Sequence, residues 1–180
     1  MAQIRIRKTN ERIEGEAEVK AFLDSHNVVY EHWNPTKLPE ALREKFILSD
    51  DEKAQIISTY EEEIRDLAAR RGYEIWDVIA LSDSTPDIEK LLQKFEQVHT
   101  HTEDEIRAIV SGKGIFIIKS EDEVGYFDVE LEPGDVISVP ENTNHFFTLM
   151  DNREIVAVRL FIEKDGWVAY NIEDPDFIKA

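Results

Sequence analysis

The chain has 180 residues, 42% of them hydrophobic and 33% charged, which suits one compact domain covering residues 1–180. Its 39 acidic and 21 basic residues give a net charge of −18, which argues against a nucleic-acid or anionic-membrane partner. The absence of cysteine excludes disulfides and thiolate metal sites. No signal peptide or membrane-spanning stretch is recognisable, so the cytoplasm is the expected location.

Short strands and helices are predicted at the start of the chain. Alternating apolar residues predict strands at Gln3 to Arg7 and at Val28 to Trp33. An apolar stripe predicts a helix from Glu16 to Ser25, and a short helix is expected from Glu40 to Phe46.

One long helix is the clearest element of the first half. It is expected to begin at Ser49, because Ser49 and Glu52 form a capping-box pattern, and to end at Gly72 after two arginines. Its predicted inner face consists of Ile57, Tyr60, Ile64, Leu67 and Ala68. The acidic run 61–63 points in several directions on a helix, so it indicates a solvated surface rather than a metal site.

The pattern of apolar and turn residues in the sequence changes at Val98. A strand from Trp76 to Leu81 and a short helix opened by Pro86 come before this point. After it, short segments separated by Gly, Pro and acidic turns predict antiparallel strands at 105–110, 116–119, 125–131, 136–139, 145–150, 154–162 and 167–171. We therefore expect a barrel over about 96–172, elements of 1–95 packed on it, and a loose tail over 173–180.

A set of possible metal ligands lies within this barrel. Side chains alternate between the faces of a strand, so His99 and His101 would share one face of their strand. Glu105 and Arg107 would share one face of the next strand, and that face could point in the same direction as the two histidines. His145 opens a later strand and is the expected fourth ligand. Three imidazoles and one carboxylate suit a divalent first-row metal such as iron, nickel, manganese or cobalt. An octahedral ion would keep two positions for a substrate that chelates through adjacent oxygens.

Two arginines are expected beside these ligands. Arg107 would supply positive charge for an anionic substrate in this acidic protein. Arg159 alternates in register with Ala157 and Phe161, and if it faces the lumen an anion must pair with it, either Glu105 or a substrate. The alternative for Arg159 is an ion pair that only holds strands together.

The two ligand blocks resemble the two motifs of the cupin family. Residues 99–112 read H-x-H-x3-E-x6-G, similar to the first motif, and residues 134–145 read G-x5-P-x4-H, similar to most of the second. The chain departs from these motifs at Gln93, Asn142 and Leu149, none of which is a ligand. The resemblance implies a mainly β chain with flanking helices, folded as a cupin-type double-stranded β-helix, or jelly-roll barrel.

Within the cupins, the phrases VHTHTEDEIR at 98–107 and NHFFTL at 144–149 resemble acireductone dioxygenases, and the similarity runs from about Trp33 to about Tyr170. This resemblance implies that O2 cleaves the acireductone 1,2-dihydroxy-3-keto-5-methylthiopentene in methionine salvage. With Fe2+ the family yields formate and 4-methylthio-2-oxobutanoate, and with Ni2+ it yields formate, CO and 3-methylthiopropionate.

The resemblance also implies roles for particular residues. One Fe2+ or Ni2+ per chain would be held by His99, His101, Glu105 and His145. Catalysis would involve Arg107 and Arg159, and the apolar substrate tail would lie against Phe95, Phe147 and Trp167.

Two other interpretations stay open at this point. One is a different cupin metalloenzyme, such as a sugar isomerase or another dioxygenase, and the other is a non-catalytic cupin that binds a small molecule. The implied partners are acireductone and O2. The sequence leaves the oligomeric state open and is compatible with a monomer.

Overall fold

The computed structural model describes residues 1–163 and 168–177. In chain order, the strands and helices of this part are β1 (Gln3–Ile6), β2 (Arg12–Ile13), α1 (Glu16–Ser25), β3 (Val29–His32), α2 (Asp50–Thr59), α3 (Glu61–Arg71), β4 (Ile75–Leu81), α4 (Ile88–Glu96), β5 (His99–Thr100), β6 (Glu105–Gly112), β7 (Gly114–Lys119), β8 (Tyr126–Leu131), β9 (Asp135–Val139), β10 (His145–Leu149), β11 (Ile155–Phe161) and β12 (Tyr170–Asn171). The fold is mainly β with flanking helices, as predicted. No helix in the described ranges combines the length and apolar character needed to cross a bilayer.

The strands form two antiparallel sheets. One has the order β12-β5-β10-β7-β8-β1-β2 and the other β3-β9-β6-β11-β4. Three early strands are hydrogen-bonded members of these sheets, because β1 pairs with β8, β3 with β9 and β4 with β11. The first 95 residues therefore complete the sheets as well as packing on them, which the predicted division at about residue 96 did not anticipate.

The main hydrophobic core lies between the two sheets. It contains fully buried side chains of both, such as Phe116 and Phe127 from one sheet and Ile137 from the other. Helices α1 and α4 add Leu23 and Leu92 to the same core. Burial of this apolar surface fixes the sheets face to face and holds rigid the strands that carry the polar site. The assignment of residues 1–180 to a single domain stays a prediction.

A second core covers the outer face of the five-stranded sheet. Helices α2 and α3 supply Ile56, Ile64 and Leu67, which pack against sheet residues such as Val158 and Leu160. The capping box of Ser49 and Glu52 and the left-handed Gly72 are both present, as the sequence predicted.

The predicted single helix is divided at Tyr60. This residue leaves helical geometry at φ −105° and ψ 19°, and it separates α2 from α3. Its ring is buried and stacks on Trp33 at 5.3 Å, while its hydroxyl donates to the carbonyl of Asn34. The tertiary contacts of this one side chain account for the break. Ile57 is partly buried against the second core, as predicted, and Ile56, which was not predicted there, is fully buried in it.

Two further predictions were wrong in detail. The helix expected at 40–46 is only a short 3-10 turn at Glu40–Leu42, preceded by another at Pro35–Lys37. The loose tail expected from residue 173 is instead fixed to the barrel over its described part, because Asp174 and Phe177 contact strands of the seven-stranded sheet. These contacts occur on the outer face of that sheet, which has a small apolar cluster of its own.

Candidate metal centre

Four predicted ligands meet between the two sheets. His99, His101, Glu105 and His145 are all buried, and their possible ligand atoms lie within 4.8 Å of one another. His99 and His145 are directly opposite in the pairing of β5 with β10. His101 follows β5, and Glu105 is the first residue of β6 in the other sheet. Strand pairing therefore brings together His99 and His145, which are 46 positions apart along the chain, and the packing of the two sheets adds Glu105.

Each of the three imidazole rings is held by a hydrogen bond from Nδ1 to a backbone carbonyl. The Nδ1–H of His99 donates to the Gln97 carbonyl at 2.6 Å, and that of His145 donates to the Thr143 carbonyl at 2.7 Å. The Nδ1–H of His101 donates to the carbonyl of Val168 at 3.0 Å. These bonds set one tautomer and leave the three Nε2 lone pairs for a ligand role.

The carboxylate of Glu105 supports the presence of a cation at this point. Its Oε2 lies 2.6 Å from Nε2 of His145 and 2.9 Å from Nε2 of His101. Lone pairs of an imidazole and a carboxylate repel at such distances unless a proton or a metal ion supplies positive charge. Nitrogen and oxygen donors of this kind, buried and fixed by backbone carbonyls, fit a divalent first-row metal ion.

The charge states of these groups also suit metal binding. Burial, with the neighbouring His145, lowers the pKa of His99 to about 4, so its ring is neutral at neutral pH. Burial disfavours ionised Glu105, but the positive charge of Arg107 and the contacts with the histidines outweigh it and hold its pKa well below its usual range. A metal requires neutral imidazole and ionised carboxylate ligands, and the shifts at His99 and Glu105 favour these states. At His101 burial lowers the pKa, but the contact with Glu105 outweighs it and raises the pKa, so a metal ion must displace a proton there.

Arg107 lies beside the ligands, as predicted from its register. Its Nη2 is 2.7 Å from Oε1 of Glu105, and its side chain is 13% exposed. Burial lowers the pKa of Arg107 to about 10, which still leaves it charged at neutral pH. Its Nη1 is buried and has no hydrogen-bond partner among the described residues. The guanidinium therefore has one N–H group engaged by the carboxylate and another available to an anionic oxygen.

Arg159 pairs with Asp77, a residue that the sequence analysis did not name as its partner. Its Nε and Nη2 donate to the two carboxylate oxygens of Asp77 at 2.8 and 2.6 Å. Strand pairing places Asp77 on β4 directly opposite Arg159 on β11. This pair is of the kind that the alternative interpretation described, an ion pair between strands, while Glu105 is engaged by Arg107 and two histidines. A contact of Arg159 with a substrate anion stays a prediction.

Replacing Asp77 with alanine is expected to lower the free energy of unfolding by about 1 to 2 kcal/mol. The expected loss is at the lower end of the stabilisation that hydrogen bonds to charged groups usually give, because the Asp77 side chain is 37% exposed. Urea denaturation measures the change. Asp83→Ala, which breaks the exposed pair of Asp83 with Arg153, is the matched control and should change stability by less than about 1 kcal/mol. An equal effect of the two substitutions would contradict the importance assigned to the Asp77 pair.

A cavity of about 200 Å³ opens beside the ligands. Its lining includes the ligands His99, His101 and Glu105 and the aromatic rings of Phe95 and Phe147. The two phenylalanine rings meet edge to face, with centroids 6.3 Å apart. Charged and apolar walls in one cavity suit a small molecule with a polar head and an apolar tail.

Both arginines also contribute to the lining of this cavity, and Phe161 and Ala169 complete part of the wall. The third predicted tail contact, Trp167, lies outside the described residues.

Sequence reasoning missed several groups that shape the centre. In the sequence, Asp77 stood out only as a polar residue inside an apolar strand. The pairing of β4 with β11 places it directly opposite Arg159. The carbonyls that fix the imidazoles carry no signal in the side-chain pattern. Val168 is the clearest example, because it lies 67 positions from the histidine that it orients.

Comparison with known proteins agrees with this arrangement. Residues 3–169 match the family described as the ARD/ARD' family. An acireductone dioxygenase of Geobacillus thermodenitrificans is 62% identical over 180 residues, which is 100% of both chains. One from a strain of Bacillus cereus is 55% identical over 168 residues, covering 93% of this chain and 98% of the relative.

A solved structure is similar over nearly the whole chain. It is an acireductone dioxygenase from Bacillus anthracis with a cadmium ion in the active centre. The TM-score is 0.91 at 54% identity, with 94% of this chain and 97% of the other covered. These similarities confirm the resemblance stated from the sequence and the cupin-type fold.

Proposed function

Because the chain belongs to the ARD/ARD' family and is therefore an oxidoreductase of the acireductone dioxygenase type, we propose that its substrate is 1,2-dihydroxy-3-keto-5-methylthiopentene. O2 is the second substrate, and the reaction belongs to methionine salvage. The observation that carries the proposal is the buried His3Glu cluster next to Arg107 in a cavity with an apolar wall.

The proposed ligands are His99, His101, Glu105 and His145, which would hold one Fe2+ or Ni2+ per chain. The bound ion would act as a Lewis acid and as a template that orients the two substrate oxygens.

Arg107 is proposed to favour the doubly ionised form of the substrate. An ene-diol that loses both protons is electron-rich and reacts with O2 more readily than the neutral molecule. The free Nη1 of Arg107 is available to one of its oxygens, in a buried site where a fixed charge acts strongly. Arg159 lines the same cavity and adds a second positive charge, which its pair with Asp77 holds in position.

The apolar tail of the substrate is proposed to lie against Phe95 and Phe147. These rings form the apolar wall of the cavity, so binding there would remove the tail from water and direct the polar head toward the ligands. Trp167 is proposed as a third contact on the resemblance alone.

The products are proposed to depend on the metal. With Fe2+ they would be formate and 4-methylthio-2-oxobutanoate, and with Ni2+ formate, CO and 3-methylthiopropionate. A cytoplasmic location and a monomeric state stay predictions.

Oxygen uptake tests the proposed reaction directly. Metal-free protein loaded with Fe2+ should consume about one O2 per synthetic acireductone added, and the Ni2+ form should in addition release CO. An oxygen electrode and gas analysis measure these quantities, with metal-free protein as the control. No uptake by fully loaded protein above that control would reject the proposed activity.

A further inference from the structure

The C-terminal strap, residues 168–177, is tied to the metal centre at its beginning. The carbonyl of Val168 accepts the Nδ1 hydrogen of His101, and β12 pairs Asn171 with His99. The Ile172 N–H also donates to the Val98 carbonyl at 2.9 Å. The carbonyls that orient His99 and His145 lie two residues before each ring, whereas the carbonyl that orients His101 belongs to the distant strap.

The other end of the strap is held by the carboxylate of a half-buried residue, Asp174. The Oδ2 of Asp174 accepts from Lys119 Nζ at 2.8 Å, from the Tyr126 hydroxyl at 2.8 Å and from Asn144 Nδ2 at 3.1 Å. Its side chain is 5% exposed. Phe177 seats the strap further, because its ring packs edge to face on Tyr126 and on Phe146 at 5.1 and 5.0 Å.

The groups that bind Asp174 are themselves close to another ligand. Asn144 directly precedes His145, and its carbonyl accepts from the Lys119 backbone N–H at 2.9 Å. The neighbouring carbonyl of Thr143 orients the ring of His145. Asp174 thus connects the turn that positions one histidine to the strap that positions another.

We propose that Asp174 is a positioning residue of the metal centre, which fixes His101 through the strap and His145 through Asn144. This inference rests on the proposed metal site. Hydrogen-bond partners behind metal ligands are worth about 10- to 100-fold in metal affinity, because they fix the tautomer and the orientation of the ring. Asp174 acts one step farther away, so we expect an effect near the lower end of this range.

The test uses Co2+ alone and needs no organic substrate. Loss of Co2+ to excess chelator is followed through its visible absorption, with thermal unfolding of the metal-free protein measured in parallel. In Asp174→Asn, Co2+ loss should be about tenfold faster than in wild type, and the Co2+ absorption bands should change in position or intensity. Asp176→Asn is the matched control, since Asp176 is on the same strap, is 75% exposed and lies 3.4 Å from Lys119. It should behave as wild type.

A purely structural role would give a different result. Asp174→Asn would then unfold at a lower temperature but release Co2+ at the wild-type rate with unchanged bands, and this would overturn the inference. Should Asp174→Asn fail to fold, Tyr126→Phe removes one hydrogen bond to Asp174 and keeps the ring against Phe177. A wild-type rate of Co2+ loss in Tyr126→Phe would then overturn it. Failure of wild type to bind Co2+ would overturn the metal site itself, which separates that outcome from failure of the Asp174 role alone.

Discussion

Replacing His101 with alanine is expected to yield a folded protein that retains almost no metal after dialysis. His101 supplies one of four convergent donors, and its loss also removes the ring that Val168 orients. The affinity should fall by more than the roughly 100-fold found when only a group behind a ligand is removed. Elemental analysis measures the metal, and circular dichroism measures the fold.

His32→Ala provides the matched control for this change. His32 is exposed on β3 and is not part of the ligand cluster. The control should bind one equivalent of metal, as should wild type. A full equivalent bound by His101→Ala would remove this residue from the ligand set and reduce the proposed site to three groups.

Replacing Arg107 with alanine is expected to give the opposite pattern, with metal retained and turnover lost. The guanidinium is not a metal ligand, but it is the buried cation that faces the proposed substrate. Removal of one group that stabilises developing charge in an active site typically lowers kcat by about 100- to 1000-fold. Oxygen uptake at saturating acireductone, normalised to bound metal, measures the loss.

Two further variants define what Arg107 does. Arg107→Lys keeps the charge but not the planar fork, so we expect it to recover part of the turnover. Arg153→Ala removes an exposed arginine that pairs with Asp83 and should leave turnover unchanged. Wild-type turnover in Arg107→Ala would show that the pair with Glu105 is only structural.

Local patterns were sufficient for much of the fold. The capping box at Ser49, the helix at 16–25 and most of the strands after residue 98 were predicted correctly, because helix caps and the alternation of apolar residues act within a few neighbouring positions. The division of the helix at Tyr60 could not be predicted in this way. It depends on the stacking of Tyr60 on Trp33, a residue 27 positions away in the numbering.

The same distinction applies to the candidate site. The spacing of His99, His101 and Glu105 indicated three donors that the structure brings within 4.8 Å of one another. Their convergence depends on the packing of the two sheets, because Glu105 lies on β6 of the other sheet. The partner of Arg159 was not predictable, because it depends on which strand lies beside β11. Glu105 and Asp77 are both acidic residues near this cation in the structure, and the pairing of β4 with β11 places Asp77 directly opposite it.

By itself, the sequence determined the types of donor, their spacing and the family to which the chain belongs. The donor types and their spacing follow from side-chain chemistry and from the repeat of a strand, both of which are local, and the family follows from the resemblance of the two motifs. Only the tertiary structure decided that Val168 orients His101 and that Asp174 holds the strap in which Val168 lies. The reason is that a backbone carbonyl has no residue-specific signature, and a contact between distant segments exists only after the sheets have packed.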